Sequence, residues 1–265
     1  MVGVDGLGAF AVRDARAPHL RALMKRGAWT LQARGVMPTV SSPNWASIIM
    51  GAGPEQHGIT SNEWQADKFE IAGACALVGK HFPTIFGVLR QARPKASISV
   101  FHDWEGFGRL VEEGVPQRIE HVLKSPVTMR KAIEYWTTSK PDLMFVHLDD
   151  VDHAGHRHGW GSPEYKAAVE EADALIGSLV AAIGEGTNVF VVADHGGVGT
   201  KHGGLTMEEL LVPWIAAGPA IVRDRELTTL VNSLDTAPTI ARILGLRTPD
   251  CWTGRPVLAA LKMPK

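Results

Sequence analysis

Short apolar runs alternate along the chain with segments whose apolar residues recur at helical spacing. Residues 142–148 and 188–193 are apolar runs, typical of strands that are buried on both faces of a parallel sheet. Between them, residues 162–183 have an amphipathic pattern that begins with Ser-Pro-Glu, which predicts a helix. The alternation of strand and helix predicts an α/β fold.

The same patterns predict further elements on both sides of this unit. Strands are predicted at 1–4, 29–37, 96–101 and 211–217, and helices at 17–27, 46–50, 84–91, 127–140 and 234–244. We therefore expect a single domain over residues 1–265, in which a doubly wound, mostly parallel sheet carries helices on both faces. Residues 63–140 are less regular than the rest.

Composition excludes several classes of partner. The 265 residues carry 27 basic and 28 acidic side chains with the two signs interspersed, so no nucleic-acid-binding surface is indicated. No apolar run is long enough to span a bilayer. The two cysteines, Cys75 and Cys251, have no CxxC spacing, so neither a disulfide framework nor a thiolate zinc site is indicated.

The amino-terminal strand looks clipped. Residues 1–4 are few for a buried strand, which usually has about five or six residues. Either the strand is unusually short or residues are missing upstream of Met1, and an export signal could be missing with them. The sequence contains no signal peptide, which favours the cytoplasm by default. The compartment and the oligomeric state are left open.

The apolar run at 188–193 is followed directly by polar residues. Asp194 and His195 follow it directly, glycines come next, and His202 adds a third candidate ligand. Because ligand sites in open α/β sheets lie at the carboxyl ends of the strands, these side chains are candidate metal ligands. The plain alternative is a strand that ends in an ordinary polar turn.

Two other strands end in the same way. Asp5 follows the first strand, and Asp152 and His156 follow the run at 142–148. The spacing of four brings Asp152 and His156 to one side of a helical turn. Two sets of oxygen and nitrogen ligands at one edge of the sheet suit two divalent ions, an arrangement used for in-line displacement at phosphorus.

A loop with two serines precedes the predicted helix at 46–50. Ser41 and Ser42 lie ahead of the helix amino terminus, where backbone N–H groups and the helix dipole favour a phosphate-like anion and an ionised hydroxyl. The alternative is that one of them is simply a helix N-cap, the usual role of serine before a helix. Local sequence alone favours the cap.

Taken together, these motifs resemble the alkaline phosphatase superfamily, and within it the nucleotide pyrophosphatase/phosphodiesterase branch. The matching landmarks are VDG at Asp5, PTVSSPN around Ser41, GAGPEQHGITSN ending at Asn62, DHAGH from Asp152, ADHGG at Asp194, and DTAPTIARILG near the carboxyl end. They follow the order found in the family and span nearly the whole chain.

The resemblance assigns roles residue by residue. It implies that one zinc ion is held by Asp5, Asp194 and His195, with Ser41 as the nucleophile that also binds this ion. The second zinc ion is implied for Asp152, His156 and His202, and other divalent metals such as Mn²⁺ are possible. Asn62 matches the asparagine that contacts a non-bridging phosphate oxygen. The family nucleophile lies two residues before the proline of this loop, which selects Ser41 over Ser42.

The function implied is hydrolysis of phosphodiester or pyrophosphate-type esters of a small molecule. Zinc lowers the pKa of a bound serine hydroxyl, and attack on phosphorus gives a phosphoseryl intermediate that water then hydrolyses. The segment at 63–140 is expected to help wall the active site. Other possibilities within the superfamily are a phosphomonoesterase, a sulfatase or phosphonate hydrolase, and a metal-dependent phosphomutase. A zinc-containing binding protein without turnover is the non-enzymatic alternative.

The sequence departs from its relatives at two positions that bear on substrate choice. Nucleotide-cleaving relatives place an aromatic residue five positions before Asp152 to stack on the base, and His147 occupies this position here. His202 follows His195 by only seven residues, where relatives carry a long insertion. No arginine neighbours Ser41, which favours a diester over a dianionic monoester. Nucleotide preference is therefore left open.

Overall fold

The computed structural model describes residues 1–76 and 81–262, and its framework is a sheet of eight strands. The strands are β1 Val2–Val4, β2 Gly27–Arg34, β3 Ile98–His102, β4 Arg118–His121, β5 Leu143–Leu148, β6 Val189–Val192, β7 Leu211–Ala217 and β8 Arg225–Glu226. Their order in the sheet is β4-β3-β5-β1-β6-β7-β2-β8. The predicted doubly wound, mostly parallel α/β sheet is confirmed.

Strand direction brings four carboxyl ends to one edge of the sheet. Strand β1 runs parallel to both β5 and β6, whereas β7 runs antiparallel to both β6 and β2. Strand β2 therefore points the same way as β1, β5 and β6. Every residue of β1, β5 and β6 is buried, which explains why these strands are apolar runs without alternation.

The helices pack in two groups. The helices are α1 Ala9–Asp14, α2 Pro18–Arg26, α3 Ser41–Met50, α4 Pro54–His57, α5 Ile85–Ala92, α6 Glu105–Gly108, α7 Ser125–Ser139, α8 Asp150–His158, α9 Pro163–Ile183, α10 Met207–Leu210 and α11 Thr236–Leu244. One group forms around α9 with α1, α2, α7 and α8, and the other around α3 with α4, α5, α6 and α11. Short 3₁₀ turns at Ser233–Asp235 and Leu258–Ala260 complete the described elements.

Element bounds differ from the sequence prediction most clearly around the two serines. Strand β2 ends at Arg34, so residues 35–37 belong to the loop, and α3 begins at Ser41 rather than at residue 46. The early start was missed because Pro43 and Asn44 resemble loop residues, although proline is well tolerated in the first turn of a helix. The segment at 63–140, whose residues 77–80 lie outside the described residues, contains α5, β3, α6, β4 and α7.

The two cysteines are joined, which corrects the expectation from their spacing. Cys75 and Cys251 form a disulfide whose Cα atoms are 6.4 Å apart and which links positions 176 residues apart. Trp252 donates a hydrogen bond from its indole to the carbonyl of Pro83 at 3.0 Å. The fold thus brings the carboxyl-terminal region to the loop before α5, a proximity that local cysteine spacing does not report.

A single asparagine shapes the loop between β2 and α3. Asn44 is fully buried, and its Oδ1 accepts a hydrogen bond from the backbone N–H of Val36 at 2.7 Å. Its Nδ2 lies 3.2, 3.0 and 2.9 Å from the carbonyl oxygens of Val36, Pro38 and Val40. Because buried backbone groups must be paired, this side chain fixes the loop that leads into Ser41.

Replacing Asn44 with alanine should destabilise the protein. The Asn44→Ala variant leaves several buried backbone groups without partners, and we expect a loss of about 2–4 kcal/mol in the free energy of unfolding. Urea unfolding followed by circular dichroism measures this loss. The control Gln91→Ala, at an exposed position of α5, should change the free energy by less than about 0.5 kcal/mol. Equal midpoints for Asn44→Ala and the parent would contradict this account of the loop.

Candidate metal centre

The chemistry-bearing side chains reach one edge of the sheet from four strands. Asp5 follows β1, Ser41 is the first residue of α3 after β2, Asp152 and His156 lie in α8 after β5, and Asp194 and His195 follow β6. His202 lies in the loop between β6 and α10, and its ring stacks on that of His195 with centroids 3.8 Å apart. The structure therefore brings all seven predicted metal-binding residues to the same region.

The first cluster forms around the imidazole of His195. Its Nε2 lies 3.2 Å from Ser41 Oγ, 3.1 Å from Asp194 Oδ2 and 3.5 Å from Asp5 Oδ1. Asp5, Asp194 and His195 are buried almost completely, and Ser41 is 6% exposed. Three ligand-type atoms and a serine hydroxyl thus converge in a space that water scarcely reaches.

The second cluster is more open to solvent. Asp152 lies with its Oδ2 3.4 Å from His156 Nε2 and its Oδ1 3.9 Å from His202 Nε2. Asp152 is buried, whereas His156 is exposed and His202 is partly buried. Asp152 also offers a ligand atom within 4.8 Å of those of Asp5 and His195. Its carboxylate therefore lies between the two clusters, a closeness that the separate ligand sets implied by the resemblance did not describe.

The three histidines of these clusters share one arrangement. Nδ1 of His195 is 2.8 Å from the carbonyl oxygen of Gly196. The corresponding Nδ1 distances are 3.0 Å from Thr200 for His156 and 2.9 Å from Thr39 for His202. A carbonyl only accepts hydrogen bonds, so Nδ1 carries the hydrogen in each ring. The lone pair is then on Nε2, which faces the carboxylates, as in metal-binding histidines.

Three carboxylate oxygens in the described part of the chain are buried without a hydrogen-bond partner. They are Asp5 Oδ1, Asp152 Oδ1 and Asp194 Oδ2, and they belong to the residues that the sequence predicts as metal ligands. A buried oxygen that carries charge and has no donor is costly. Oxygens and neutral imidazole nitrogens are together a donor set that suits zinc, so these residues fit the metal that the resemblance implies.

The pKa shifts in the site also favour a bound cation. Burial, together with the nearby charge of Asp5, raises the pKa of both Asp152 and Asp194 well above the usual range. Burial lowers the pKa of His195 to about 4 and also lowers that of His202. Both imidazoles are therefore neutral at pH 7, and the carboxylates need a positive charge to remain ionised.

Gly6 is required for this close approach. Its φ is 69°, and a Cβ at this position would lie 2.7 Å from the Cα of Asp152. Its N–H donates a hydrogen bond to Asp194 Oδ1 at 3.0 Å. Only glycine combines a positive φ with so close a contact, so Gly6 of the VDG motif allows the carboxylates to cluster.

The serines do not cap helix α3. Its N-cap is Val40, and no side chain caps the helix there, so the N-cap interpretation of Ser41 and Ser42 is wrong. Ser42 donates its backbone N–H to Asn62 Oδ1 at 2.8 Å. This bond aligns the amide of Asn62 at the helix amino terminus and leaves its Nδ2 as the group that remains to donate.

Three residues around the clusters were not predicted to have a role. Trp45 is fully buried and donates its indole N–H to Asp5 Oδ2 at 2.8 Å. His147 is fully buried and contacts the same oxygen at 3.1 Å, so it is not placed to stack on a ligand. Trp160 packs against the rings of His156 and His202. The apolar strand around His147 makes it look like ordinary core, and no local pattern in the sequence marks Trp45 or Trp160 as part of the site.

The sequence model of the type I phosphodiesterase/nucleotide pyrophosphatase family matches residues 1–217. The chain belongs to this family. It is 25% identical over 194 residues to mouse ectonucleotide pyrophosphatase/phosphodiesterase family member 1, covering 68% of this chain and 21% of the relative. It is 26% identical over 224 residues to bovine bis(5'-adenosyl)-triphosphatase, covering 74% and 46%. The chain therefore spans between about a fifth and a half of these relatives' lengths.

Solved structures share the fold at low sequence identity. Murine ectonucleotide pyrophosphatase/phosphodiesterase 5 superposes with a TM-score of 0.78 at 17% identity, over 94% of this chain and 95% of the other. A 2-O GAG sulfatase superposes with a TM-score of 0.76 at 16% identity, over 97% and 72%. These likenesses show the alkaline phosphatase-like fold alone. Within the described residues, no helix is both long and apolar enough to cross a bilayer.

The raised pKa of Asp194 predicts the behaviour of an amide variant without metal. Because the pKa of Asp194 is higher in the folded than in the unfolded protein, its ionisation costs stability as the pH rises through the folded value. Asp194→Asn removes this cost. In EDTA, the variant should melt about 2–4 °C above the parent, and the difference should be larger at pH 8 than at pH 5.

Thermal melts of both proteins, followed by circular dichroism in EDTA, provide the comparison. The control Asp14→Asn removes a carboxyl that is exposed in α1 and should not reproduce the gain. A gain in melting temperature for Asp194→Asn that is equal at pH 5 and pH 8, or that is matched by Asp14→Asn, would show that ionisation of the buried Asp194 does not destabilise the protein.

Proposed function

We propose that this protein hydrolyses phosphodiester or pyrophosphate-type phosphate esters, using two zinc ions and a phosphoseryl intermediate on Ser41. One observation carries the proposal: three imidazole Nε2 atoms face three carboxylates whose buried oxygens lack partners, beside the hydroxyl of Ser41. Membership of the phosphodiesterase family supports the reaction class. The mixed nitrogen and oxygen donors favour zinc, with Mn²⁺ as a possible substitute.

The residues divide into two ligand sets. Asp5, Asp194 and His195 would hold one ion together with Ser41, and Asp152, His156 and His202 would hold the other. When bound, the ions lower the pKa of the serine hydroxyl and neutralise charge on the reacting and leaving oxygens. The carboxylate of Asp152, which is close to both sets, keeps the two sites near each other.

Ser41 supplies the nucleophile. Its Oγ forms a bond to phosphorus as the bond from phosphorus to the leaving oxygen breaks, which leaves on the serine a phosphoryl group that still carries the second substituent of the substrate. Ser41 is the first residue of α3, a helix of ten residues, so the positive end of the helix dipole faces the developing charge. Water then attacks the phosphoserine and restores the hydroxyl.

Asn62 supports the phosphate. Its Oδ1 is occupied by the N–H of Ser42, so its Nδ2 is the group that donates to a non-bridging phosphate oxygen. Arg109 donates from its guanidinium to the carbonyl oxygen of Asn62 at 3.0 Å and so braces the same loop. A preorganised donor of this kind stabilises charge that develops in the transition state.

The substrate class follows from charge and from the relatives. The sequence has no arginine next to Ser41, and the guanidinium of Arg109 is engaged with the backbone of Asn62. A phosphodiester carries one negative charge fewer than a monoester dianion and has less need of such a group. One bovine relative is named a bis(5'-adenosyl)-triphosphatase, and a murine structural neighbour was solved with AMP. We therefore propose a small phosphodiester or pyrophosphate, with nucleotides as the first candidates.

A panel of nitrophenyl esters tests the reaction class. We expect bis-nitrophenyl phosphate to be cleaved with a kcat/KM at least on the order of tenfold above that of nitrophenyl phosphate, with little release from nitrophenyl sulfate. EDTA should abolish the activity and added zinc should restore it. A preference for the monoester or the sulfate would indicate a different member of the superfamily. No turnover with two bound metals would indicate a binding protein.

Variants at the two adjacent serines test the nucleophile. Ser41→Ala should lower kcat by a factor of about 10³ or more while the zinc content is retained, because three other side chains hold the ion. Ser42→Ala, which keeps the backbone N–H that binds Asn62, should retain most of the activity. Mass spectrometry of acid-quenched reactions should find the phosphoryl group on Ser41. Phosphorylation of Ser42, or turnover by Ser41→Ala, would rule out the assignment.

A further inference from the structure

A buried imidazole is hydrogen-bonded to Asp5 on the oxygen that the first cluster leaves free. His147 lies in the central strand β5 and is completely buried. Its Nε2 is 3.1 Å from Asp5 Oδ2, and its Nδ1 is 3.0 Å from Asp103 Oδ1. Nothing in the proposed reaction requires this residue, since it reaches neither the serine nor a phosphate.

His147 differs from the three predicted ligand histidines in what its ring nitrogens face. In the ligand histidines a backbone carbonyl lies at Nδ1, and Nε2 is left with a lone pair. Nε2 of the ligand histidines lies 3.1, 3.4 and 3.9 Å from carboxylate oxygens without forming a hydrogen bond to them. In His147 both nitrogens are hydrogen-bonded to carboxylate oxygens, which only accept. Both nitrogens must therefore carry hydrogen, and the ring has no lone pair to offer a metal.

A second donor reaches the same oxygen of Asp5. The indole of Trp45 donates to Asp5 Oδ2 at 2.8 Å, so Oδ2 is held by two buried donors. The other oxygen, Oδ1, has no partner and lies 3.5 Å from Nε2 of His195. Two donors on one oxygen fix the plane of the carboxylate and direct the second oxygen into the first cluster.

The imidazole of His147 is anchored in turn. Asp103 follows β3, and its Oδ2 accepts hydrogen bonds from Ser125 Oγ at 2.7 Å and from the backbone N–H of Asp149 at 3.0 Å. A continuous chain of hydrogen bonds thus runs from the start of α7 through Asp103 and His147 to Asp5. Such outer contacts orient a ligand and raise its affinity for metal.

We propose that His147 is a positioning residue: held by Asp103, it fixes Asp5 so that Oδ1 binds the metal next to Ser41. The inference rests on the proposed function, because it assumes that Asp5 is a ligand. It also accounts for a histidine in place of the aromatic residue found in nucleotide-cleaving relatives. A phenylalanine or tyrosine ring has no N–H to donate to Asp5 Oδ2, whereas the imidazole of His147 makes this hydrogen bond from strand β5.

Zinc binding by metal-free protein tests this role without any substrate. The His147→Phe variant keeps a ring and removes both hydrogen bonds, whereas His147→Gln keeps one donor. The matched control is His102→Phe, because His102 is the register partner of His147 on β3 and is also buried, but it pairs with the carbonyl of Trp104. Competition with a chromophoric chelator gives the affinities, and native mass spectrometry gives the stoichiometry.

We expect His147→Phe to bind one of two zinc ions about 10–100-fold more weakly than the parent. The zinc affinity of His147→Gln should lie between those of the parent and His147→Phe. The affinity of His102→Phe should remain within about threefold of that of the parent. Circular dichroism and thermal melts of the metal-free proteins identify any variant that does not fold. If His147→Phe does not fold, His147→Gln and Asp103→Asn provide the test, and each should weaken the same ion.

The possible results separate the two claims. Unchanged affinities in the folded His147 and Asp103 variants, with two zinc ions bound by the parent, would overturn the role of His147 and leave the proposed function intact. An equal loss in His102→Phe would also overturn it, because general damage to the core would then be the cause. A parent protein that binds no zinc would overturn the proposed function and the inference together.

Discussion

The burial of three carboxylates beside one another is the constraint on which the rest of the site depends. Asp5, Asp152 and Asp194 each have an oxygen that is buried without a partner, and the pKa values of Asp152 and Asp194 are raised as a result. Isolated charges of one sign are strongly unfavourable away from water. The sheet brings the carboxylates together because β1, β5 and β6 are parallel neighbours, and Gly6 permits the closest approach. A cation between them removes the conflict.

Hydrogen bonding divides the histidines of the site into two kinds. Backbone carbonyls hold the hydrogen on Nδ1 of His156, His195 and His202, so Nε2 is the nitrogen that can bind metal. Carboxylates on both sides of His147 instead raise its pKa to about 10 against the effect of burial. That positive charge and the hydrogen bond from His147 help to hold the pKa of Asp5 below its usual value although burial opposes this. The same side chain thus serves as ligand or as counter-charge according to its partners.

The sequence predicts the strands that form continuous buried apolar runs. It also predicts the candidate ligand residues that follow these strands. The strand at 188–193 and the ligand pair Asp152 and His156 could be predicted because an apolar run and a spacing of four residues are local features of the sequence. The sequence does not reveal that His147 pairs with Asp103, 44 residues away, since a histidine inside an apolar strand looks like core. The disulfide across 176 residues is hidden for the same reason. The start of α3 was missed because Pro43 and Asn44 are residue types typical of loops, although in the structure Asn44 binds the preceding loop from within the helix.

The most direct test of the central claim is the position of bound metal relative to Ser41. Crystals grown with zinc, and measured on both sides of the zinc absorption edge, locate each ion from its anomalous scattering. The account predicts two ions at the carboxyl edge of the sheet, one bound by Asp5, Asp194 and His195 within coordination distance of Ser41 Oγ, about 2.0–2.2 Å. The other should be bound by Asp152, His156 and His202. A single ion, or ions remote from Ser41, would contradict it.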